Sequence, residues 1–275
     1  MAKRRVRNRG PREGHCRICG EFDVLTKDHV PPQVCLDAVA MELRTLPESF
    51  DRSQGTLSQD GIYFKSLCRP CNGDRLGGQF DPHLGALCRA AATLVQSPLS
   101  FSGPIHVGPY KPARVARAIV GHVLAAYVPE RMDVREAPAS YIDALRRYFL
   151  DTTLPMPEGL EIYYWPYRGE KVKVIAAGGY MDVRLARQSF VFSLLKFLPL
   201  GFLLVWNRPP QLTLSRAVGC IDWSATELDV EREFVLDPRA ERAPRPDWPE
   251  NPEDNGIVLL HDQASLVAEK RLVRR

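Results

Sequence analysis

Two short stretches, "CRIC" at Cys16 to Cys19 and "CRPC" at Cys68 to Cys71, constrain this chain more than anything else in it. Cysteines two residues apart grip one side of a tetrahedral ion, and two such pairs complete a shell of four thiolates. With only 7 cysteines in 275 residues, chance is a poor explanation for the repeated spacing. The opening "MAKRRVRNRGPR" has no apolar core and no small-residue cleavage site, so it does not read as an export signal. A cytoplasmic location is expected, where thiols stay reduced and paired Cys-x-x-Cys motifs read as metal sites before disulfides. Structural zinc on Cys16, Cys19, Cys68 and Cys71 is therefore expected.

A four-cysteine zinc keeps no open position, so it holds structure and does not activate water. Chemistry has to come from what lies nearby. The 48 residues between the pairs leave room for an inserted hairpin or loop, and they hold Asp28 and His29. Asp28 offers a hard oxygen suited to Mg2+ or Mn2+, and Asn72, fixed beside Cys71, offers a second. A histidine such as His29, with an ordinary pKa of about 6.5, is the natural base for deprotonating water at neutral pH. Read alone, His29 is as well explained as a packed or surface histidine, and Asn72 as a helix cap.

In order along the chain, "CRIC", "KDHVPP" and "LCRPCN" resemble the zinc-stapled branch of the HNH endonucleases, most closely the phage endonucleases that resolve branched DNA. The resemblance covers about residues 14 to 90. It implies a ββα-metal fold, with the Asp-His on a strand and the Asn at the start of the next helix. It also implies phosphodiester hydrolysis, with Asp28 and Asn72 as ligands of the catalytic divalent ion and His29 as general base. Two departures stand out. Tyr63 occupies the place where many relatives carry an Asn that orients the histidine, and the third metal ligand is open between Asp74, Asp81, His83 and water.

The implied function is a metal-dependent endonuclease acting on DNA, less readily on RNA, in a setting such as defence against foreign DNA or a mobile element. A non-catalytic zinc-knuckle module that binds nucleic acid or protein is the alternative, and a zinc scaffold whose function lies wholly in the rest of the chain is a third. Arg69, Arg75 and Arg89 are candidates for phosphate contact, with a solvated face as the plain reading. The basic residues up to Arg12 form either an arm drawn to phosphate or a solubilising tail. A homodimer, or a regulatory partner docking on the C-terminal part, fits paired cuts on a duplex. Cys35, Cys88 and Cys220 have no partner spacing, and Cys88 reads as a small core residue.

The fold class expected is α+β: a basic disordered tail at 1–12, a zinc-stapled ββα domain at 13–100, and a second α+β domain at 104–275 with a mostly antiparallel sheet. "SPLSFSGPIHVGPYKP" reads as a connector. "ARVARAIVGHVLAAYV" predicts an amphipathic helix with one buried face, and "SYIDALRRYFL" a second helix. "LEIYYWPY", "KVKVIAAGGYMD", "SFVFSLLKF" and "GFLLVWN" read as strands. The run "FVFSLLKFLPLGFLLVW" is broken by Lys196, Pro199 and Gly201, so two strands around a turn are expected and a membrane span is not. "RAPRPDWPENPEDNG" reads as a surface loop.

Overall fold

The computed structural model describes residues 11–270, apart from 37–39, 51–54, 60, 100, 128–138, 183–188, 212–218, 223, 225, 240–243, 253–255 and 261–264. Most of the basic N-terminal stretch lies outside the described residues. Strands β1 (Glu13–His15), β2 (Phe22–His29) and β5 (Tyr63–Cys68) form a small antiparallel sheet in the order β1-β2-β5. Between β2 and β5 the chain makes a short turn at Gln33–Cys35, then β3 (Met41–Thr45), helix α1 (Leu46–Phe50) and β4 (Thr56–Ser58). After β5 comes a wide helical segment, Pro70–Phe80, whose final turn closes with the Asp81 N–H on the Leu76 carbonyl, five residues back as in a π-helix. It runs straight into α2 (Asp81–Val95).

Next come β6 (Ile105–Tyr110), α3 (Pro112–Ala126) and α4 (Ala139–Leu150). The remaining strands are β7 (Leu160–Pro166), β8 (Val172–Asp182), β9 (Ser189–Phe197), β10 (Leu200–Trp206), β11 (Gly219–Cys220), β12 (Arg232–Leu236), β13 (Gly256–Leu260) and β14 (Ser265–Lys270). A nine-stranded sheet runs β11-β7-β10-β9-β8-β14-β3-β4, with β13 also on β8, and every pairing in it is antiparallel. The apolar run around Pro199 is the β9–β10 hairpin, as its breaks imply. No helix among the described residues is long and apolar enough to cross a membrane.

The mixed α+β class holds, but the boundary expected near residue 100 does not separate the sheets. β3 and β4, which lie between the two cysteine pairs, extend the large sheet through β14. One core cluster also runs from Cys16 and Leu67 through α3 to Phe202 and Ala268. The connector expected before α3 contains β6, which pairs with β12, and Phe234 of β12 packs its ring on Tyr110 and Tyr164.

Helix α3 does not have one buried face, because it lies between two layers. It packs against β5, the wide helical segment, α2 and α4 on one side and against β8 and β9 on the other. A helix covered all round must be apolar all round or must pair its polar groups. Ile119, Val120, Val123 and Leu124 meet the first condition and are fully buried. Arg117 meets the second: it is fully buried and donates to the carbonyls of Ala113, Tyr148, Asp151 and Leu154. His122 is equally buried, while Arg114, near the helix start, reaches the surface and pairs with Asp229.

On the far face of the sheet, alternate residues such as Ile175, Leu194 and Leu203 form a second cluster with Trp165 and Trp248. Gly201 lets Trp165 lie flat on β10, since a Cβ there would sit 2.5 Å from the indole ring. The proline-rich stretch read as a surface loop is partly buried at this face. Trp248 stacks edge-on to Trp165, and Glu250 is held by Lys173 and Lys196. Charge pairing and aromatic packing override the loop-like composition of this segment.

Candidate functional site

The four-cysteine cluster is built from backbone outward. Gly20, at φ 81°, turns the chain after Cys19, and its N–H bonds the Cys16 carbonyl at 2.9 Å. Arg17 N–H bonds the Ser66 carbonyl at 2.9 Å, tying this turn to β5, whose last residue is Cys68. Arg146 of α4 donates to the Arg17 carbonyl at 2.7 Å from the other side. As a result the sulfurs of Cys16, Cys19, Cys68 and Cys71 all lie within 4.8 Å of one another. Cys19 Sγ and Cys68 Sγ are 3.8 Å apart, the edge of a tetrahedron built on zinc–sulfur bonds of about 2.3 Å.

Four thiols this close cannot all ionise unaided. Donation from Cys71 holds the Cys16 thiol down to about 4. Burial pushes Cys68 up to about 11, and the bond to Cys16 drives Cys71 up further still. A divalent cation removes that conflict, so the donor set fits structural zinc.

Asn72 follows Cys71 but caps nothing, because the wide helical segment already begins at Pro70. Its amide instead reaches β2, donating to Thr26 Oγ1 at 2.9 Å and to the Lys27 carbonyl at 2.8 Å. Both bonds use Nδ2, which leaves Oδ1 out of them. They fall where β2 is irregular, since the β2–β5 register shifts between Thr26 and Lys27. The four-cysteine cluster thus fixes Asn72, and Asn72 fixes the strand immediately before Asp28 and His29.

Neighbours on a strand point to opposite faces, and these two do. His29 is half-buried on the outer side, facing the ring of Tyr63 at 5.9 Å between centroids. Gln33 Nε2 stands 3.2 Å from His29 Nε2. An amide N–H can only donate, so in this arrangement a neutral ring accepts at Nε2 and carries its proton on Nδ1. Gln33 and Tyr63 are thus the neighbours that flank the His29 ring.

Asp28 points inward and is 3% exposed. Its Oδ2 lies 3.3 Å from Nδ1 of His122, and His122 Nε2 lies 2.9 Å from Asp81 Oδ1. Burial alone would keep His122 neutral, but Asp81 and Asp28 carry it up to about 10, so the ring is cationic between two carboxylates. Burial raises Asp28, an effect His122 only partly offsets. Asp28 Oδ2 and His122 Nδ1 face each other out of hydrogen-bond alignment and have no hydrogen-bond partner. A buried carboxylate oxygen that has an ion-pair neighbour but no hydrogen bond keeps capacity for a further donor or cation.

The remaining expected residues fall apart from this centre. Asp74 is exposed, and His83 is pushed down by burial and by Arg114 and Lys111. Arg75 donates to the Leu150 carbonyl at 2.5 Å, so it ties the wide helical segment to α4. Arg69 is exposed between the cysteines of the second pair, and Arg89 lies at a cavity beside Cys88. His15 bonds the Gly20 carbonyl through Nδ1. Sequence reasoning missed His122 and Gln33. A signal existed for the first: a lone histidine in "AIVGHVLAA" has to find a buried partner.

Comparison with known proteins finds no matching family model, no matching curated protein and no matching solved structure.

Proposed function

We propose that this chain is a metal-dependent endonuclease that hydrolyses phosphodiester bonds in DNA. The observation that supports it most is the hydrogen bond from Asn72 to the Lys27 carbonyl. It joins the zinc tetrad to the strand bearing Asp28 and His29, in the order that the HNH resemblance implies. Asp28 and Asn72 would hold a Mg2+ or Mn2+ ion through the carboxylate oxygen that lacks a hydrogen bond and the amide oxygen. The ion would supply Lewis-acid polarisation of the phosphate and stabilise its developing charge. His29 takes the proton of the attacking water at Nε2, with Gln33 holding that nitrogen unprotonated until substrate arrives. His122 and Asp81 are positioning residues that keep Asp28 in place.

One observation favours a second reading, a zinc knuckle that binds nucleic acid without cutting it. Asp28 is 3% exposed and already faces a cationic histidine, so an incoming ion must share it. Zinc-loaded protein incubated with supercoiled plasmid, with and without added Mg2+ or Mn2+, separates the two. Nicked or linear product that requires the added ion supports the nuclease. A gel shift without any product in either condition supports the binding module.

A further inference from the structure

Two thiols outside the zinc knuckle meet at a cavity. Cys35 ends the turn that follows β2, and Cys88 stands on α2. The turn lies directly on the helix: a Cβ at Gly85 would come within 2.6 Å of the Val34 side chain, so the approach needs glycine there. Gly85 and Cys88 are three residues apart on one helix face, which brings Cys88 beneath Cys35. Cys88 is 3% exposed, and Cys35, half-buried, packs against the same core. The thiols sense each other, since donation between them together with burial pushes Cys35 well above its ordinary value. Both line a cavity of about 620 Å³ where α2 meets the ends of the inner strands β3 and β8 of the large sheet, with Met41, Arg89, Val172 and Pro199 also in its wall. A cavity of several hundred cubic ångströms admits small molecules.

We propose that Cys35 and Cys88 are an oxidisable dithiol, converted by a peroxide entering this cavity into a disulfide that ties the turn behind His29 to helix α2. The Cys35 thiolate attacks one peroxide oxygen, breaking the O–O bond, releasing water and leaving a sulfenic acid. The Cys88 sulfur then displaces that hydroxyl as water and forms the S–S bond. Two thiols lose two electrons and two protons, and one peroxide becomes two waters. Because Cys35 ionises late, the reaction is slow at neutral pH and quickens as pH rises. The linked turn carries Gln33, the neighbour of His29, and the helix begins at Asp81, the partner of His122. The dithiol itself stands whether or not the chain cuts DNA.

The test is to treat the zinc-loaded full chain with hydrogen peroxide, alkylate the remaining thiols and map the peptides while following zinc release. The proposal expects a Cys35–Cys88 cross-linked peptide, loss of two free thiols with zinc retained, faster formation at higher pH, and reversal by dithiothreitol. Cys88→Ala and, independently, Cys35→Ser should each abolish the cross-link; the second, at a half-exposed position, guards against misfolding in the first. Full alkylation of both cysteines after treatment, oxidation of Cys35 with Cys88 left free, or zinc release ahead of any cross-link would each overturn it.

Discussion

Among the described residues, two buried three-membered charge chains are opposite in both order and completeness. Beside the four-cysteine cluster the order is acid, base, acid: Asp28, His122, Asp81. Behind the large sheet it is base, acid, base: Lys173, Glu250, Lys196. The second is saturated. Lys196 bonds both Glu250 oxygens at 2.6 Å and the Pro246 and Trp248 carbonyls at 2.7 Å, while Lys173 bonds the same carboxylate. The first leaves Asp28 Oδ2 and His122 Nδ1 without hydrogen bonds. A satisfied network pins a segment, here the proline-rich stretch; an unsatisfied one has capacity left for a ligand. That contrast, rather than burial, is the reason the proposed function is placed on the first chain.

Removing the central member of each chain should have the largest effect. Glu250→Ala strands two ammonium groups and His122→Ala strands two carboxylates, and losing one partner of a buried pair costs about 3–5 kcal/mol. Urea unfolding should show comparable losses for both variants, while plasmid cutting, assayed below their melting temperatures, should fail only in His122→Ala. Equal loss of cutting in Glu250→Ala would erase the distinction between the chains.

Their responses to pH should be opposite in sign. The His122 value of about 10 lies above its unfolded value of 6.5, so the stability it contributes is full below 6.5 and is lost as pH rises toward 10. Burial pulls Lys196 down to about 7, an effect Glu250 opposes and Lys173 reinforces; its unfolded value is 10.5, so across that window stability rises with pH. Unfolding free energies at a series of pH values should therefore fall less steeply with pH in His122→Asn than in wild type, and more steeply in Lys196→Met. Parallel curves for all three proteins would contradict the assigned charges.

Smaller effects sharpen the contrast around the first chain. Asn72→Ala removes the two bonds to β2, at a cost of about 1–3 kcal/mol. It should keep its zinc, measured by metal analysis, yet lose cutting. Gln33→Ala should change stability by less than about 0.5 kcal/mol, as surface substitutions do. It should also move the acid limb of the cutting profile to higher pH, because the amide that favours the unprotonated ring is gone.

What could be read from the sequence divides along the same line. The cysteine tetrad was legible because the ligands come in local pairs whose spacing has one common use. The strands from Leu160 to Trp206 were legible from composition and breaks. His122 was not, because its partners sit 94 and 41 residues away in sequence and only the burial of α3 between two layers brings them together. The same layering turned an expected amphipathic helix into a central one, and drew β3 and β4 out of the motif into the large sheet. Glu250 looked like one acid among several in a loop until Lys173 and Lys196 gave it a buried place.

The central claim is that His29 takes a proton in a metal-dependent cut, and chemical rescue tests it most directly. His29→Ala, zinc-loaded and folded, would be incubated with supercoiled plasmid and Mg2+ over a range of imidazole concentrations. The account predicts no cutting without imidazole and cutting that rises with its concentration, with wild type indifferent to it. Cutting by His29→Ala at the wild-type rate in the absence of imidazole would contradict the account.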